Sequence, residues 1–275
     1  MTLGQEFDAF ATTLKEEVSR LSQNRQLLLE TNMGATAIGT GINSDPEYTV
    51  ICTRYLAEIS DIAVVAADNL IEATSDTGVF IMNSSVIKRL AVKLSKICND
   101  LRLLSSGPRT GLNEINLPPM QPGSSIMPGK VNPVIPEVVN QIAYKVIGND
   151  LTVTMASEAG QLQLNVMEPI IAYSLMENIE MLINGINTLR SKCISGITAN
   201  QDRCRDMVLN SIGLVTALNP YLGYEDSTRV AAEALRTGKG VYDIVLENKL
   251  IAQEELDEIL KPENMIRPRR INKLK

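Results

Sequence analysis

Gly123-Ser124-Ser125-Ile126-Met127-Pro128-Gly129-Lys130-Val131-Asn132-Pro133 is the stretch around which the rest of the chain can be read. It sits in a low-charge segment, Ile115 to Gly129 holding no Asp, Glu, Lys or Arg. Pro118, Pro119, Pro122, Pro128, Pro133 and Pro136 crowd the same region. Prolines at that density forbid a continuous helix and remove backbone donors. Helical periodicity nevertheless resumes on both sides, and a long loop inside a helical chain is a candidate for function. The residue types suit an anion site. Gly123 frees the backbone, Ser124 and Ser125 offer hydroxyls, Lys130 a compact cation, and Asn132 an amide that donates and accepts. A serine there can serve as nucleophile or base if neighbouring donors stabilise its alkoxide. On composition alone, a solvated Gly/Ser/Pro surface loop is the competing reading.

Outward from the loop, periodicity predicts long helices over Leu3 to Thr31, Glu47 to Ser60, Ser84 to Leu104, Glu137 to Met155 and Gly160 to Leu189. Asp45-Pro46 reads as an N-cap followed by proline at the first helical position. Asp61 to Ala73 is apolar on more than one face, and Ser75-Asp76 breaks it. The Gly-rich segment Asn32 to Ser44 lacks a GK[ST] ending and a preceding strand, so it reads as a tight turn or close helix contact, not a phosphate loop. Beyond Asn200 shorter helices follow, over Gln201 to Ile212, Ser227 to Thr237, Val241 to Asn248 and Gln253 to Leu260. The fold class is therefore all-α. A long-helix bundle is expected over residues 1–198, with its mobile loop at about 115–136, and a small helical domain over 199–275. Glu137 opens a helix, where a negative charge favours the dipole.

Composition narrows the function. Apolar residues make up 44% of the chain and aromatic ones 4%, with no Trp, so the core must be aliphatic, as in packed helices. A net charge of −6 argues against a nucleic-acid partner, and the basic end Arg267 to Lys275 reads as a solvated tail. The uncharged run Met207 to Tyr224 holds Asn210, Gly213, Pro220 and Gly223, which suits a buried helix end and excludes a membrane span. Cys52, Cys98, Cys193 and Cys204 show no CxxC spacing, and the chain has no histidine. A metal site is therefore not expected, and a reducing, cytoplasmic setting fits. The acidic run Glu254 to Glu258 reads as a solvated helix face. The wide apolar face of the helix before Leu189 calls for burial by other helices, from this chain or from sister subunits.

Gly123 to Pro133 resembles the GSSxMPxKxNP signature of the aspartase/fumarase superfamily, a long and specific motif of β-eliminating lyases that release fumarate. The runs Pro133 to Gln141 (PVIPEVVNQ) and Glu158 to Pro169 (EAGQLQLNVMEP) are more similar to the aspartase branch than to class II fumarase. Asn32 to Asn43 and Asn210 to Gly223 also resemble the family, so the likeness covers essentially the whole chain. It implies reversible loss of ammonia from L-aspartate to give fumarate, with no cofactor, in a homotetramer whose sites are shared between subunits. By this resemblance Ser124 is the general base, Ser125 donates to the β-carboxylate, and Lys130 and Asn132 hold the α-carboxylate. Gly123 and Gly129 make the loop a lid, and Glu137 is a support residue. In the family the glutamate at that position pairs with a histidine that this chain lacks.

The family is longer at its N-terminus, so the chain resembles the C-terminal portion of an aspartase, beginning at an internal methionine. The Thr, Ser, Asn and His donors of the upstream segments are not among these residues. The expectation is a chain with little or no lyase activity alone. Class II fumarase and a non-catalytic helical oligomerisation subunit are the alternative readings.

Overall fold

The computed structural model describes residues 1–268 and residue 270; most of the basic tail expected at 267–275 lies outside the described residues. The architecture is helical, with nine α-helices among the described residues and only two-residue strands. The chain divides into two compact units. The larger comprises Ala9–Leu103 and Leu117–Ile197; the smaller comprises Met1–Asp8, Leu104–Asn116 and the chain from Thr198 onward.

The larger unit is built on long helices: α1 (Leu3–Arg25, whose first residues belong to the other unit), α3 (Gly78–Leu104), α4 (Val134–Glu158) and α5 (Glu168–Lys192), with the shorter α2 (Tyr48–Ser60). Packing follows helical spacing. Ile87, Ala91, Leu94, Ile97, Cys98 and Leu101 of α3 are buried. So are Val139, Ala143, Val146 and Val153 of α4, and Ile171, Leu175, Leu182 and Leu189 of α5. Residues three and four apart share a face, so each helix offers one continuous apolar stripe. Val138 and Ile147 of α4 and Ile170, Ile179 and Ile183 of α5, also at helical spacing, remain exposed beside the buried rows.

Polar ties cross these packed faces. Asp150 of α4 accepts from Ser84 Oγ at 2.8 Å and pairs with Lys88 of α3 at 2.5 Å. Asn140 Nδ2 donates to the carbonyl and hydroxyl oxygens of Ser95. Asn149 Nδ2 donates to Glu177 at 2.8 Å and to Asn178 Oδ1 at 2.7 Å on α5. Glu17 of α1 is fully buried, with Lys93 at 2.5 Å and Arg89 at 2.9 Å from its Oε1. A buried carboxylate persists only where cations and donors repay its lost hydration.

Several helix ends differ from expectation. Helix α1 stops at Arg25, six residues before Thr31, because Gln26–Leu28 tighten into a 3-10 turn and β1 (Glu30–Thr31) becomes extended. β1 pairs in parallel with β2 (Val65–Ala66), Glu30 opposite Val65, which gives the apolar run after Asp61 a strand and a 3-10 turn. Asp45-Pro46 sit just ahead of α2. Asp45 Oδ1 accepts from Glu47 N–H at 2.8 Å, but Glu47 occupies the cap position. Helix α3 begins six residues earlier than Ser84. Helix α4 begins at Val134 with Pro133 at its cap, so Pro136 lies in the first turn, where a missing N–H costs nothing. Helix α5 begins eight residues later than Gly160. Gln161 and Leu164 close a turn on each other, and Pro169 then opens the helix. In the turns of Asn32 to Ser44, a Cβ on Gly39 would lie 2.2 Å from Ile71 Cα, a close approach that only glycine permits.

In the smaller unit, β3 (Ile115–Asn116) pairs antiparallel with β4 (Thr198–Ala199). Asn200 reinforces the pairing, donating to the Asn113 carbonyl at 2.9 Å. Then come α6 (Gln201–Leu209), α7 (Val215–Thr237), α8 (Val241–Glu247) and α9 (Gln253–Ile259). Helix α7 starts twelve residues before the expected Ser227 and is kinked at Gly223, whose φ of 79° and ψ of 172° are non-helical. Leu214, Leu218, Val230, Ile244, Val245, Leu256 and Ile259 form its aliphatic core. The acidic run on α9 is engaged locally: Asp257 accepts from Tyr242 Oη at 2.7 Å, and Glu258 pairs with Lys261 at 2.5 Å.

Candidate active site

Proline and glycine place the loop. Pro118 and Pro119 hold its first arm extended, and Pro118 packs where a Cβ on Gly196 would come within 2.5 Å of its ring. The second arm ends at Pro133, which caps α4, with Glu137 N–H donating to the Pro133 carbonyl at 3.1 Å. Glu137 thus stands in the first turn of α4, where the helix dipole favours its charge.

Between the arms, Gly123 and Lys130 are brought together. Gly123 N–H donates to the Lys130 carbonyl at 2.8 Å, and Asn132 Nδ2 donates to the Gly123 carbonyl at 3.1 Å. Gly129 turns the chain with a φ of 80°, a conformation costly for other residues. The tip curls over Ser124, whose Oγ accepts from Ile126 N–H at 3.1 Å and from Met127 N–H at 3.2 Å. Two convergent backbone donors on one hydroxyl oxygen favour its anionic form, as they do a carboxylate's. Ser125 and Lys130 are exposed, and neither side chain has a hydrogen-bond or ion-pair partner among the described residues. A solvent-open cavity of about 480 Å³ is lined by residues 119–124 and 129–131, so Ser124 and Lys130 face one space.

All the loop residues singled out by sequence therefore lie on one short segment, and Glu137 lies on the helix that follows it. No group of three or more Cys, Asp or Glu residues suited to a metal ion occurs among the described residues. No helix there is long and apolar enough to cross a membrane. Sequence reasoning missed the buried Asn140, Asn149 and Asp150. Their signal was available as polar residues falling on the apolar stripe of α4.

Residues 1–148 match the protein family described as Lyase, and residues 214–267 match the one described as Fumarase C C-terminus. An aspartate ammonia-lyase of Pseudomonas aeruginosa is 63% identical over 272 residues, covering 98% of this chain and 57% of the relative. The Helicobacter pylori (strain 26695) aspartate ammonia-lyase is 58% identical over 275 residues, covering 100% of this chain and 59% of its own length. Among solved structures, a fumarate lyase:delta crystallin from Brucella melitensis bound to cobalt aligns with a TM-score of 0.94 at 51% identity. That alignment covers 98% of this chain and 58% of the other. A class II fumarase from Schistosoma mansoni aligns at 0.89 and 32% identity, over 96% of this chain and 58% of its own. The chain thus spans a little over half the length of the curated relatives it matches. On this likeness, which runs through both units, the chain belongs to the lyase family that these aspartate ammonia-lyases and fumarases share.

Proposed function

We propose that these residues form the C-terminal part of an aspartate ammonia-lyase, which removes ammonia from L-aspartate to give fumarate and can run in reverse. The observation that carries the reading is Ser124 Oγ held by two backbone N–H groups on a loop that also presents Lys130 to the same cavity. The hard step is loss of a weakly acidic proton from the carbon beside the β-carboxylate. Ser124, as alkoxide, takes that proton, and the electron pair of the broken C–H bond moves into the carboxylate as an enediolate. The pair then returns to form the carbon–carbon double bond as the C–N bond breaks and ammonia leaves. Ser125 donates to the β-carboxylate as its charge grows; Lys130 and Asn132 hold the α-carboxylate. Donors aimed at developing charge are the strongest contribution such a loop can make. Gly123 and Gly129 give the lid its path over substrate, and Glu137 supports the loop from α4.

The active assembly in this reading is a homotetramer with shared sites. Supporting it are large apolar side chains left exposed on α5 and its neighbours, such as Tyr173, Met176 and Ile183. Free cysteines, two of them buried, support a cytoplasmic setting. Aspartate ammonia-lyase relatives at 58–63% identity favour ammonia over water as the group eliminated, against 32% for the fumarase structure.

The test follows fumarate by ultraviolet absorbance. It uses the 275-residue chain alone and co-expressed with the part of the P. aeruginosa relative that precedes the matched region. Activity on L-aspartate with that segment, and at least about 100-fold less without it, is expected, since site groups that act as a unit fail together. Hydration of fumarate without ammonia addition moves the assignment to fumarase. Inactivity on both substrates leaves the helical oligomerisation reading.

A further inference from the structure

The tip of the loop is fastened at its base through both peptide groups of one residue. Gly123 N–H donates to the Lys130 carbonyl at 2.8 Å, while the Gly123 carbonyl accepts from Asn132 Nδ2 at 3.1 Å. The fit is close: a Cβ on Gly123 would lie 2.3 Å from the Lys130 carbonyl oxygen and 2.7 Å from its carbon. Lys130 N–H donates back to the Met127 carbonyl at 3.2 Å, and the Asn132 carbonyl accepts from Val134 N–H at 2.9 Å. Asn132 therefore joins the base of the tip to the first residue of α4. Ser124 follows Gly123 directly, and Lys130 is the residue its N–H holds.

The geometry points to Asn132 as a positioning residue: one hydrogen of its amide clasps the neck of the loop, so that Ser124 and Lys130 move as one body. Holding a substrate carboxylate is a separate task. An amide nitrogen carries two hydrogens, so the clasp leaves the second hydrogen and Oδ1 for substrate. The clasp stands on hydrogen bonds within the chain. Its consequence for catalysis rests on the lyase reading of the loop.

The Lys130–Val131 bond reports on the clasp directly, because its carbonyl is the one held by Gly123. Cleavage there by trypsin requires the neck to open, and the rate follows the open population. The experiment uses the 275-residue chain without substrate, with cleavage after lysines and arginines outside the loop as the internal reference for folding. Asn132→Asp, which replaces a donor with a repelling carboxylate, and Gly123→Ala, which forces the peptides apart, are each expected to speed this cleavage about tenfold or more. Ser125→Ala, outside the clasp, is expected to leave it unchanged. Wild-type cleavage rates in Asn132→Asp or in Gly123→Ala, with the reference sites intact, overturn the clasp. In the co-expressed enzyme, Gly123→Ala removes no side chain that touches substrate. It is expected to lower kcat about tenfold while KM stays within about threefold. A co-expressed enzyme without lyase activity refutes the lyase reading alone, since the trypsin result still decides the clasp.

Discussion

In the proposed mechanism Ser124, a weak acid, acts as a base, and its Oγ accepts from two backbone N–H groups that would support that role. Ser124→Ala is expected to lower kcat of the co-expressed enzyme by about 10²–10⁴-fold, the usual worth of a general base. The thermal midpoint should not move, because the side chain only closes a surface turn. The loop was legible in sequence because its prolines and glycines end helical periodicity between α3 and α4. Glu17 was not, because a carboxylate between apolar positions looks solvent-facing until Arg89 and Lys93 of another helix meet it. Two buried thiols make a second prediction. Burial, with the neighbouring Cys193 adding to it and Arg102 opposing, pushes Cys98 up to about 12; burial pushes Cys193 up to about 11. An unfolded thiol ionises near ~8.5. Above that pH the unfolded chain sheds protons that the folded chain keeps, so stability falls as pH rises from about 8.5 toward 11–12. Urea midpoints measured across this range should decline, and Cys98→Ala should flatten the decline.

At the scale of elements, the joint between α4 and α5 shows where periodicity misleads. Apolar residues keep helical spacing from Leu162 into α5, yet the chain turns at Leu162, whose φ is 49°. Asn165, nearly fully buried, holds the turn. Its Nδ2 donates to the Ala156 carbonyl at 3.1 Å and the Ser157 carbonyl at 3.3 Å, satisfying acceptors left over at the end of α4. Its Oδ1 accepts from Met167 N–H at 2.8 Å, ahead of α5. One side chain thus ends one helix and starts the next, which spacing cannot reveal. Asn165→Ala is expected to cost about 1–3 kcal/mol by leaving buried groups unpaired, read as a lower urea midpoint. A second tie titrates. Hydrogen bonds from Asn149 and then Lys145 hold the Glu177 carboxyl below its usual range; burial opposes them, while the charge of Lys145 and a hydrogen bond from Tyr173 add to them. Its contribution is complete above the unfolded value near ~4.3 and is lost as pH falls through the lower folded value. Glu177→Gln should therefore reduce the acid sensitivity of the fold below about pH 4.

At the scale of the whole molecule, the exposed apolar residues of the long helices call for a cover. Light scattering is expected to find an oligomer, and Met176→Glu, on an exposed face of α5, is expected to yield a smaller species. A monomeric wild-type chain counts against the tetramer. The all-α class was readable from the aliphatic, aromatic-poor composition. The make-up of the two units was not, because the smaller one gathers stretches far apart in sequence, and the short pairing of β3 with β4 is a contact no local pattern announces. That pairing sets a timetable during synthesis. Ile115 and Asn116 leave the ribosome roughly 80 residues before Thr198 and Ala199, a wait of about 4–16 s at ordinary elongation rates of ~5–20 residues per second. The helices of the larger unit emerge during that interval. The nascent chain can therefore close its long bundle first, and the smaller unit, although it includes Leu104–Asn116, made before α4 and α5, must wait for Thr198 and Ala199.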